Sequence, residues 1–247
     1  MFEERASKII SYIESKGTAS ISELAAALDT SESTVRRDIG RLDELGRLKK
    51  VYGGAARIGN LFFTDEFDVE TKSGINKELK TRIAEYAAGL IHNDDLVYID
   101  AGTTTLSMIP FIKAPNAVFV TNGIAHAKML TQAGLKTYIT GGQLKLVTEA
   151  VVGHDAVRFI EKYNFTKCFM GTNGVDLVRG FTTPDIDEAS IKEAAVKRAY
   201  VAYVLADSSK FGQVSSVTFA EIDKACIITD KLTNDMYNKK TVVKVVE

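Results

Sequence analysis

The segment from Asp29 to Ala56 constrains the fold of this chain more than any other stretch. Large aliphatic residues recur in it at the spacing of one helix face, namely Val35, Ile39, Leu42 and Leu45. The opposite face carries hydroxyls, guanidinium groups and a glycine, at Ser33, Arg37 and Gly40, with Thr34, Arg36 and Arg41 beside them. We therefore predict a helix that packs one side into a core and presents a polar, basic side to a partner.

A shorter helix and a tight turn are predicted just before it. Ser20 and Glu23 have the spacing of a capping box. An apolar stripe follows at Ile21, Leu24, Ala25 and Leu28. Ser31 can cap the next helix, which we place at 31–45. This arrangement is a helix-turn-helix, whose second helix reads DNA through hydroxyls and arginines that reach base edges or phosphates.

A basic hairpin is predicted after the reading helix. Gly46 is a natural helix stop, and residues 48–52 and 55–58 have the character of strands with a glycine pair between them. Such a hairpin can act as a wing against the DNA backbone. The predicted DNA-binding residues are Ser31, Ser33, Thr34, Arg36, Arg37, Arg41, Lys49, Lys50 and Tyr52.

The distribution of charge indicates a local basic patch. The whole chain has a formal net charge of −1, whereas seven basic and three acidic residues between Ser33 and Arg57 give that segment a charge of +4. With a first helix at 3–16, whose isoleucines pack on the reading helix, the segment completes a winged helix-turn-helix domain at 1–58. The alternative for any single arginine is a solvated helix face or a salt bridge, such as Glu32 with Arg36.

Several classes of protein and site are not favoured by the sequence. Cys168 and Cys226 stand alone in apolar runs, which is typical of buried free thiols. His92, His126 and His154 form no spaced cluster with them, so we predict neither a metal site nor a cofactor. The acidic, helical N-terminus does not resemble a signal peptide, and no apolar run approaches membrane-spanning length. We expect a cytoplasmic protein.

The second part of the chain alternates between helix and strand. The stretch 59–76 is acidic and without sustained period, and we interpret it as a linker. Helices are predicted at 78–91, up to 112, up to 133, at 155–163 and at 184–200. Strands are predicted at 96–100, 117–121, 135–140, 167–171, 201–206 and 225–229. This alternation predicts an α/β domain at 77–247, with a largely parallel sheet and helices on both faces.

Small polar loops follow several of these strands, where ligands bind in open α/β sheets. They lie at 100–105, 121–123, 141–142 and 171–176. The amides and hydroxyls of 100–105 suit a phosphate, and side chains such as Asp100 and Asn122 suit hydroxyl groups. Lys210 follows a later strand and can reach a phosphate as a point charge. A single loop of this kind is indistinguishable from an ordinary helix cap. The prediction of a ligand site therefore depends on several such loops lying together.

The run STVRRDIGRLDELGRLKKVYGGA, from Ser33 to Ala55, resembles the winged-helix signature of DeoR-type bacterial transcription regulators. In that signature an RRD run is followed by a basic wing that closes on GGA. The chain has Tyr52 where the family usually has His, and Ile39 where Leu usually follows RRD. Both changes keep shape and apolarity, and Tyr52 can still donate to a phosphate.

Later blocks look like the effector domain of the same family: IDAGTTT, VTNG, GG, GTNGVD, GFTTPDIDEASIK and DSSKFG. That domain is similar in fold to ribose-5-phosphate isomerase and glucosamine-phosphate deaminase, which implies a phosphorylated sugar as ligand. By this resemblance the phosphate is held by Gly102, Thr103, Thr104 and Thr105, and the sugar side is lined by Asn122, Gly142, Asp176, Glu188 and Lys210. The GFTTPD block is similar to members that respond to ketohexose phosphates such as fructose 1-phosphate or tagatose 6-phosphate.

Three functions are compatible with these patterns. The favoured one is a repressor of a sugar-catabolism operon that a phosphorylated sugar releases, acting as a homodimer or tetramer because paired half-sites need paired recognition helices. The second is a sugar-phosphate isomerase in which Asp176 and Glu188 form the carboxylate pair. The third is a constitutive DNA-binding protein whose α/β domain only oligomerises.

Overall fold

The chain separates into two units, Met1–Leu61 and Phe62–Glu247. The structure is a computed structural model, and it describes residues 2–45, 47–57, 62–63, 74–232 and 234–246. The predicted helix stop at Gly46, the end of the wing at Ile58 and most of the predicted linker lie outside the described residues.

The N-terminal unit is a winged helix-turn-helix. Its elements are α1 (Phe2–Lys16), β1 (Thr18–Ser20), α2 (Ile21–Ala27), α3 (Glu32–Glu44), β2 (Lys49–Val51) and β3 (Gly54–Ala56). The strands form an antiparallel sheet in the order β1-β3-β2. The predicted helices and wing are confirmed to within a few residues. Strand β1 was not predicted, because its short Thr-Ala-Ser sequence shows no apolar alternation.

One apolar core holds this unit together. It consists of Ala6, Ile9, Ile13, Ala19, Ile21, Leu24, Val35, Ile39, Leu42, Leu48 and Ala55. The predicted packing of the first helix against the reading helix is therefore confirmed. Leu45 is a correction: its side chain is 58% exposed, because α3 ends at Glu44 and the chain turns away. At Gly54 a Cβ atom would lie 2.1 Å from the carbonyl oxygen of Ala19, so the close pairing of β1 and β3 requires glycine.

The C-terminal unit is built on a seven-stranded sheet. Its strands are β5 (Leu96–Ile99), β6 (Val118–Thr121), β7 (Lys136–Ile139), β10 (Phe165–Gly171), β13 (Ala199–Leu205), β16 (Cys226–Thr229) and β17 (Val243–Val245). The order across the sheet is β17-β16-β13-β10-β5-β6-β7, and every neighbouring pair is parallel. The predicted parallel α/β architecture is confirmed.

Helices cover both faces of this sheet. They are α4 (Lys77–Ala88), α5 (Thr103–Leu106), α6 (Ile124–Gln132), α7 (His154–Ile160) and α8 (Ile186–Lys197). On β10, Cys168 and Met170 belong to one apolar core and Phe169 to the other, as alternating side chains require. The first core includes Ile160 of α7 and Ala195 of α8, and the second includes residues of α4 and α6.

Short strands form small sheets beside the main one. They are β4 (Phe62–Phe63), β8 (Gln143–Lys145), β9 (Ala150–Val152), β11 (Gly174–Asp176), β12 (Gly180–Thr183), β14 (Val214–Ser215) and β15 (Val217–Ala220). The antiparallel pairs β8–β9 and β11–β12 follow the predicted loops at 141–142 and 171–176. The sequence did not predict these strands, nor the three-residue edge strand β17, because they carry neither a periodic pattern nor a long apolar run.

One predicted helix is wrong in length. The helix expected to run up to 112 stops at Leu106, and a separate 3-10 turn follows at Ile109–Phe111. Pro110 explains the break, because it has no N–H to donate within a continuing α-helix. Both cysteines are free thiols, with Cys168 buried and Cys226 half-buried. None of the described helices is long and apolar enough to span a membrane.

Candidate DNA-binding surface and effector pocket

The start of α3 is organised by hydroxyl groups. Ser31 caps the helix, its Oγ accepting from the Thr34 amide at 3.3 Å. The same oxygen lies 3.0 Å from the Ser33 hydroxyl and 2.9 Å from the Thr34 hydroxyl. Ser31 and Ser33 are exposed and Thr34 is half-buried. The cap therefore leaves a cluster of hydroxyls at the helix end that is predicted to approach DNA.

The three predicted arginines of α3 are all exposed but differ in their contacts. Arg36 pairs with Glu32 at 3.3 Å, as the alternative reading of the sequence allowed. The Arg41 guanidinium lies 4.2 Å from the centre of the Phe2 ring. The Arg37 guanidinium makes no contact of this kind with a described residue. Of the three, Arg37 is the best placed to bind a base edge.

The reading helix is fixed in orientation by a salt bridge that the sequence did not predict. Asp38 is buried on the inner side of α3, and its carboxylate accepts from Arg5 of α1 at 2.8 and 3.3 Å. The acidic residue of the RRD run is thus a structural partner of α1.

The wing presents the remaining predicted residues. Lys49, Lys50 and Tyr52 are exposed, and Tyr52 is fully so at the turn between β2 and β3. The Lys50 amide donates to the Asp43 carboxylate at 2.9 Å, which ties the wing to the end of α3. The structure therefore brings all nine predicted DNA-binding residues onto α3, its cap and the adjoining wing.

In the C-terminal unit, the loop 100–105 leads into α5, and the buried side chains of Thr105 and His126 hold it in place. The Thr105 hydroxyl accepts the Gly102 N–H at 3.0 Å and donates to the carbonyl oxygen of Asp100 at 2.6 Å. His126 Nε2 lies 3.0 Å from the carbonyl oxygen of Gly102. Burial lowers the pKa of His126 to about 4, so a neutral ring donates this bond. Thr105 supports the loop and is fully buried, whereas Thr103 is half-buried and Thr104 is buried with 9% exposed.

The Asn122 side chain also holds neighbouring parts of the fold in place. Its Oδ1 accepts from the Tyr98 hydroxyl at 2.9 Å and the Ala101 amide at 3.1 Å, and its Nδ2 donates to the Val151 carbonyl oxygen at 3.2 Å. Asn122 therefore connects the ends of β5 and β6 with β9. These bonds use both lone pairs of Oδ1 and one N–H of Nδ2, so one N–H of Asn122 is left for the predicted sugar side.

A buried ion pair stands between β5 and α8. One carboxylate oxygen of Asp100, Oδ2, accepts from the Lys192 ammonium and from the Gly171 amide at 3.0 Å. The other oxygen, Oδ1, accepts nothing from the described residues. Asp100 and Lys192 are 2% and 7% exposed, so each needs the charge of the other. Asp100 thus retains one carboxylate oxygen that is open to a hydrogen-bond donor.

Glu188 forms a second buried cluster on the first turn of α8. Its Oε1 accepts from the Lys145 ammonium at 3.0 Å and the Thr148 hydroxyl at 2.8 Å. The Lys145 ammonium also contacts Asp185 at 3.0 Å. Burial raises the pKa of Glu188. Lys192, Lys145 and the hydrogen bonds lower this pKa by a larger amount, so the net pKa is below the usual value. Glu188 is therefore an ionised acceptor, and its Oε2 is left without a hydrogen bond from the described part of the chain.

Lys80 was missed by the sequence analysis. It lies on the buried side of α4 and is 6% exposed, and its ammonium donates to the Thr103 hydroxyl at 3.2 Å. A signal was present, because Lys80 falls in the apolar stripe that continues with Ile83, Ala84 and Ala87. A lysine in the apolar stripe of a helix usually serves a buried anion or a ligand.

Three predicted residues lie apart from this group or play another role. The Asp176 carboxylate accepts from the Val178 and Arg179 amides at 2.9 and 2.8 Å, so it caps the turn of the β11–β12 hairpin. Gly142 has a φ of 138°, and a Cβ there would lie 2.6 Å from the Val152 carbonyl oxygen. Lys210, half-buried after β13, makes no ion pair with a described residue.

The space in front of the loop 100–105 is small. A cavity of about 10 Å³ is lined by Ala101, Gly102, Thr103, Leu106, Ala125, His126, Thr148 and Glu149. This volume holds about one water molecule. A larger cavity, of about 530 Å³, lies between α4 and β17 and contains none of the predicted residues. Among the described residues, no group of three or more His, Cys, Asp or Glu side chains is arranged to hold a metal ion.

Comparisons with known proteins cover both units. The family model "DeoR-like helix-turn-helix domain" matches residues 5–60, and "DeoR C terminal sensor domain" matches residues 75–231. The uncharacterized HTH-type transcriptional regulator FruR of Bacillus subtilis (strain 168) is 47% identical, over 99% of this chain and 98% of that protein. The lactose phosphotransferase system repressor of Streptococcus mutans serotype c is 32% identical, over 96% and 95%. A solved structure of ribose 5-phosphate isomerase A from Methanocaldococcus jannaschii is 14% identical over 55% of each chain, with a TM-score of 0.41.

Proposed function

Because the chain belongs to the DeoR family of DNA-binding transcriptional regulators, we propose that it represses a sugar-catabolism operon and that a phosphorylated sugar relieves the repression. The observation that carries the effector half of this proposal is the charge pattern at the carboxyl edge of the parallel sheet. We place Lys80, which donates to Thr103, at one end of the proposed pocket, and the carboxylates of Asp100 and Glu188, each with one open oxygen, at the other.

The phosphate end of the proposed site is the start of α5. The Lys80 ammonium is already within hydrogen-bonding distance of Thr103, so a phosphate beside this hydroxyl gains a buried cation. The backbone N–H groups at the start of α5 are the further donors that we propose for the phosphate. Lys210 is the candidate for a second cation from the opposite loop.

The sugar end of the proposed site is formed by Asp100 and Glu188. Each carboxylate has one oxygen bound to a lysine and one oxygen that accepts nothing from the described residues. Carboxylate oxygens accept hydrogen bonds from hydroxyl groups. A polyol phosphate therefore offers groups to both ends, whereas a free sugar offers no phosphate to Lys80 and Thr103.

The effector class that we propose is a ketohexose phosphate, with fructose 1-phosphate as the first candidate. The support is the resemblance of the block from Gly180 to Asp185 to family members that respond to such compounds. This block ends at the cap of α8, where Asp185 accepts from the Glu188 amide at 2.9 Å. The block therefore sets the position of a carboxylate in the proposed site.

Operator recognition is proposed to use α3 and the wing. Arg37 and the hydroxyls around Ser31 face away from the core of the N-terminal unit, where they can enter a major groove. Lys49, Lys50 and Tyr52 extend this surface toward the phosphates. We propose that two or four copies of the chain act together, because paired recognition helices match paired half-sites.

A thermal-shift experiment on the full chain tests the effector half. Fructose 1-phosphate, other ketohexose phosphates and aldose phosphates are compared with fructose and with inorganic phosphate. At a hundred times the dissociation constant, a bound ligand adds about 2.7 kcal/mol to the free energy of unfolding, which raises the melting temperature measurably. We expect a rise with ketohexose phosphates and none with fructose.

Two lysine variants give the matched control. Lys80→Met removes the proposed phosphate cation and should abolish the ligand-induced shift. Lys162→Met removes an exposed lysine after α7 and should leave the shift unchanged. If no sugar phosphate stabilises the wild-type chain, the effector half of the proposal is wrong.

A further inference from the structure

The β8–β9 hairpin is fastened to the first turn of α8 by two side chains. Lys145 and Thr148 both bind Oε1 of Glu188, at 3.0 and 2.8 Å, and Lys145 also binds Asp185 at 3.0 Å. These contacts join residues more than thirty positions apart in the sequence. They end on the carboxylate that stands at the sugar end of the proposed pocket.

The two arms of the hairpin differ in how firmly they are held. The return strand β9 is buried, and it is tied to the end of β6 by bonds between Val151 and Asn122. The outgoing arm and tip are exposed, with 54% of Leu144, 82% of Leu146 and 47% of Val147 accessible. The contacts of Lys145 and Thr148 with Glu188 therefore hold the outgoing arm and the tip of the hairpin, which are otherwise mostly exposed.

Glu149 marks the boundary between the two arms. Its φ is 49°, a left-handed conformation that is unfavourable for a residue other than glycine. Its carbonyl oxygen accepts from the Ile124 amide at 3.0 Å, so this point is attached to the start of α6. Residues 146–148, which lie outside the ladder between β8 and β9, can move about this point while both strands stay paired.

The closed hairpin leaves no room for a sugar phosphate. Thr148 and Glu149 line the cavity of about 10 Å³ beside Gly102 and Thr103. Pockets for ligands of this size measure roughly 300–1,000 Å³. Entry of a hexose phosphate next to Thr103 therefore requires the wall that contains Thr148 to move.

We propose that the tip of the hairpin, residues 146–148, forms a latch, closed by Thr148 on Glu188, which the effector opens. The proposal rests on the proposed function, since it concerns the regulation of the same pocket. A sugar hydroxyl takes over the hydrogen bond that Thr148 donates to Glu188, and the tip of the hairpin leaves α8, while Lys145 stays bound to Glu188 and β8 stays paired with β9. The ligand binds the open form better than the closed form, which is the difference in affinity that a regulatory ligand needs.

A latch makes an unusual prediction about affinity. Closure lowers the fraction of the binding-competent form, and the apparent dissociation constant rises by the same factor. Thr148→Val keeps the shape of the side chain but removes one hydrogen bond from the latch. We expect it to tighten fructose 1-phosphate binding by about two- to tenfold, which corresponds to one hydrogen bond. A residue that only lines the site or contacts the ligand would lose affinity on the same substitution.

The movement can be followed with a single fluorophore, because the chain contains no tryptophan. Leu146→Trp places the probe at the exposed tip of the latch. Val178→Trp is the matched control, since Val178 is 83% exposed at the turn of the β11–β12 hairpin. Both full-length variants are titrated with fructose 1-phosphate and with inorganic phosphate, while the melting temperature of the same samples is recorded.

Each result is decisive. The proposal expects fructose 1-phosphate to raise the melting temperature and to change the emission of Leu146→Trp but not of Val178→Trp, with half-saturation at lower concentration when Thr148→Val is added. A rise in melting temperature without a change in Leu146→Trp emission overturns the latch and leaves the proposed function standing. Weaker binding by Thr148→Val also overturns the latch. If no sugar phosphate raises the melting temperature, the proposed function is wrong, and so is the control of the latch by an effector.

Discussion

Single residues on the reading helix have different duties although their sequence context is alike. Asp38 is turned inward to Arg5, Arg36 pairs with Glu32, and Arg37 is left with its guanidinium in solvent. Bidentate contacts from such an arginine to guanine distinguish bases, whereas lysines on a wing contact phosphates. The two kinds of residue are therefore expected to fail in different ways when removed.

Arg37→Ala should weaken operator binding by about 1–3 kcal/mol and relax the preference for one base pair. Lys49→Ala should weaken binding to all sequences equally and reduce the slope of log K against log salt by about one. Fluorescence anisotropy with the operator and with single-base variants, at several salt concentrations, measures both effects. Equal losses on all sequences for Arg37→Ala would show that it contacts only the backbone.

Residue identities at strand ends predicted the pocket, but not which side chains face it. Thr105 and Asn122 have suitable groups for a ligand, yet most of their hydrogen-bonding capacity is used by neighbouring backbone groups and by the Tyr98 hydroxyl. This allocation depends on atoms brought close by β6 and β9, which local sequence does not reveal. Lys80 and Lys192 were overlooked for the converse reason, because lysines on helices are usually exposed and only the fold shows these two to be buried.

At the scale of elements, α8 is the part of the sensor unit on which charge is concentrated. Its cap and first turn contain Asp185 and Glu188, which share the Lys145 ammonium. Burial raises the pKa of Asp185, but bonds from the Glu188 amide and Lys145 lower it more, so the net pKa is depressed, as it is for Glu188. Both carboxylates thus bind protons more readily in the unfolded chain.

This depression has a defined sign for stability. The contribution of the two carboxylates is present above their unfolded pKa values, near 4, and is lost as pH falls through the lower folded values. We expect the melting temperature of the C-terminal unit to fall between pH 6 and pH 3. In Lys145→Met the carboxylates lose a cation, so this variant should be less stable at pH 6 and should approach the wild type toward pH 3.

Calorimetry of the full chain across this pH range measures the effect. Lys162→Met, which removes an exposed lysine, should follow the wild-type curve at every pH. If Lys145→Met ran parallel to the wild type instead of converging with it, the ion cluster at the start of α8 would not be the source of the pH dependence.

The larger elements were predictable because each has a long repeat of apolar residues. The helices α1 and α3 follow this rule, and six of the seven strands of the parallel sheet were predicted from their apolar runs, whereas the three-residue edge strand β17 was not. The β8–β9 hairpin does not, since its strands have three residues each and its exposed tip is apolar. Its position depends on Lys145 and Thr148 finding Glu188 far away in sequence, and a single sequence does not show such a pairing.

At the scale of the whole molecule, the DNA-binding unit and the sensor unit act on one equilibrium, that between the DNA-bound and the DNA-free form of the chain. A ligand that binds equally well to the DNA-bound and DNA-free forms changes nothing, so the effector must favour the form with lower operator affinity. Coupling free energies of this kind are typically about 1–3 kcal/mol, or roughly 5–150-fold in affinity. By reciprocity, operator DNA should weaken effector binding by the same factor.

The most direct test is the affinity of the full chain for DNA from the promoter of its own operon, measured by anisotropy with and without fructose 1-phosphate. Fructose and inorganic phosphate serve as controls, and Lys80→Met tests whether the response passes through the pocket. We expect the dissociation constant for DNA to rise at least fivefold with fructose 1-phosphate and not with the controls. In Lys80→Met we expect normal DNA affinity that fructose 1-phosphate does not change. An operator affinity that stayed the same under a sugar phosphate shown to stabilise the chain would contradict it.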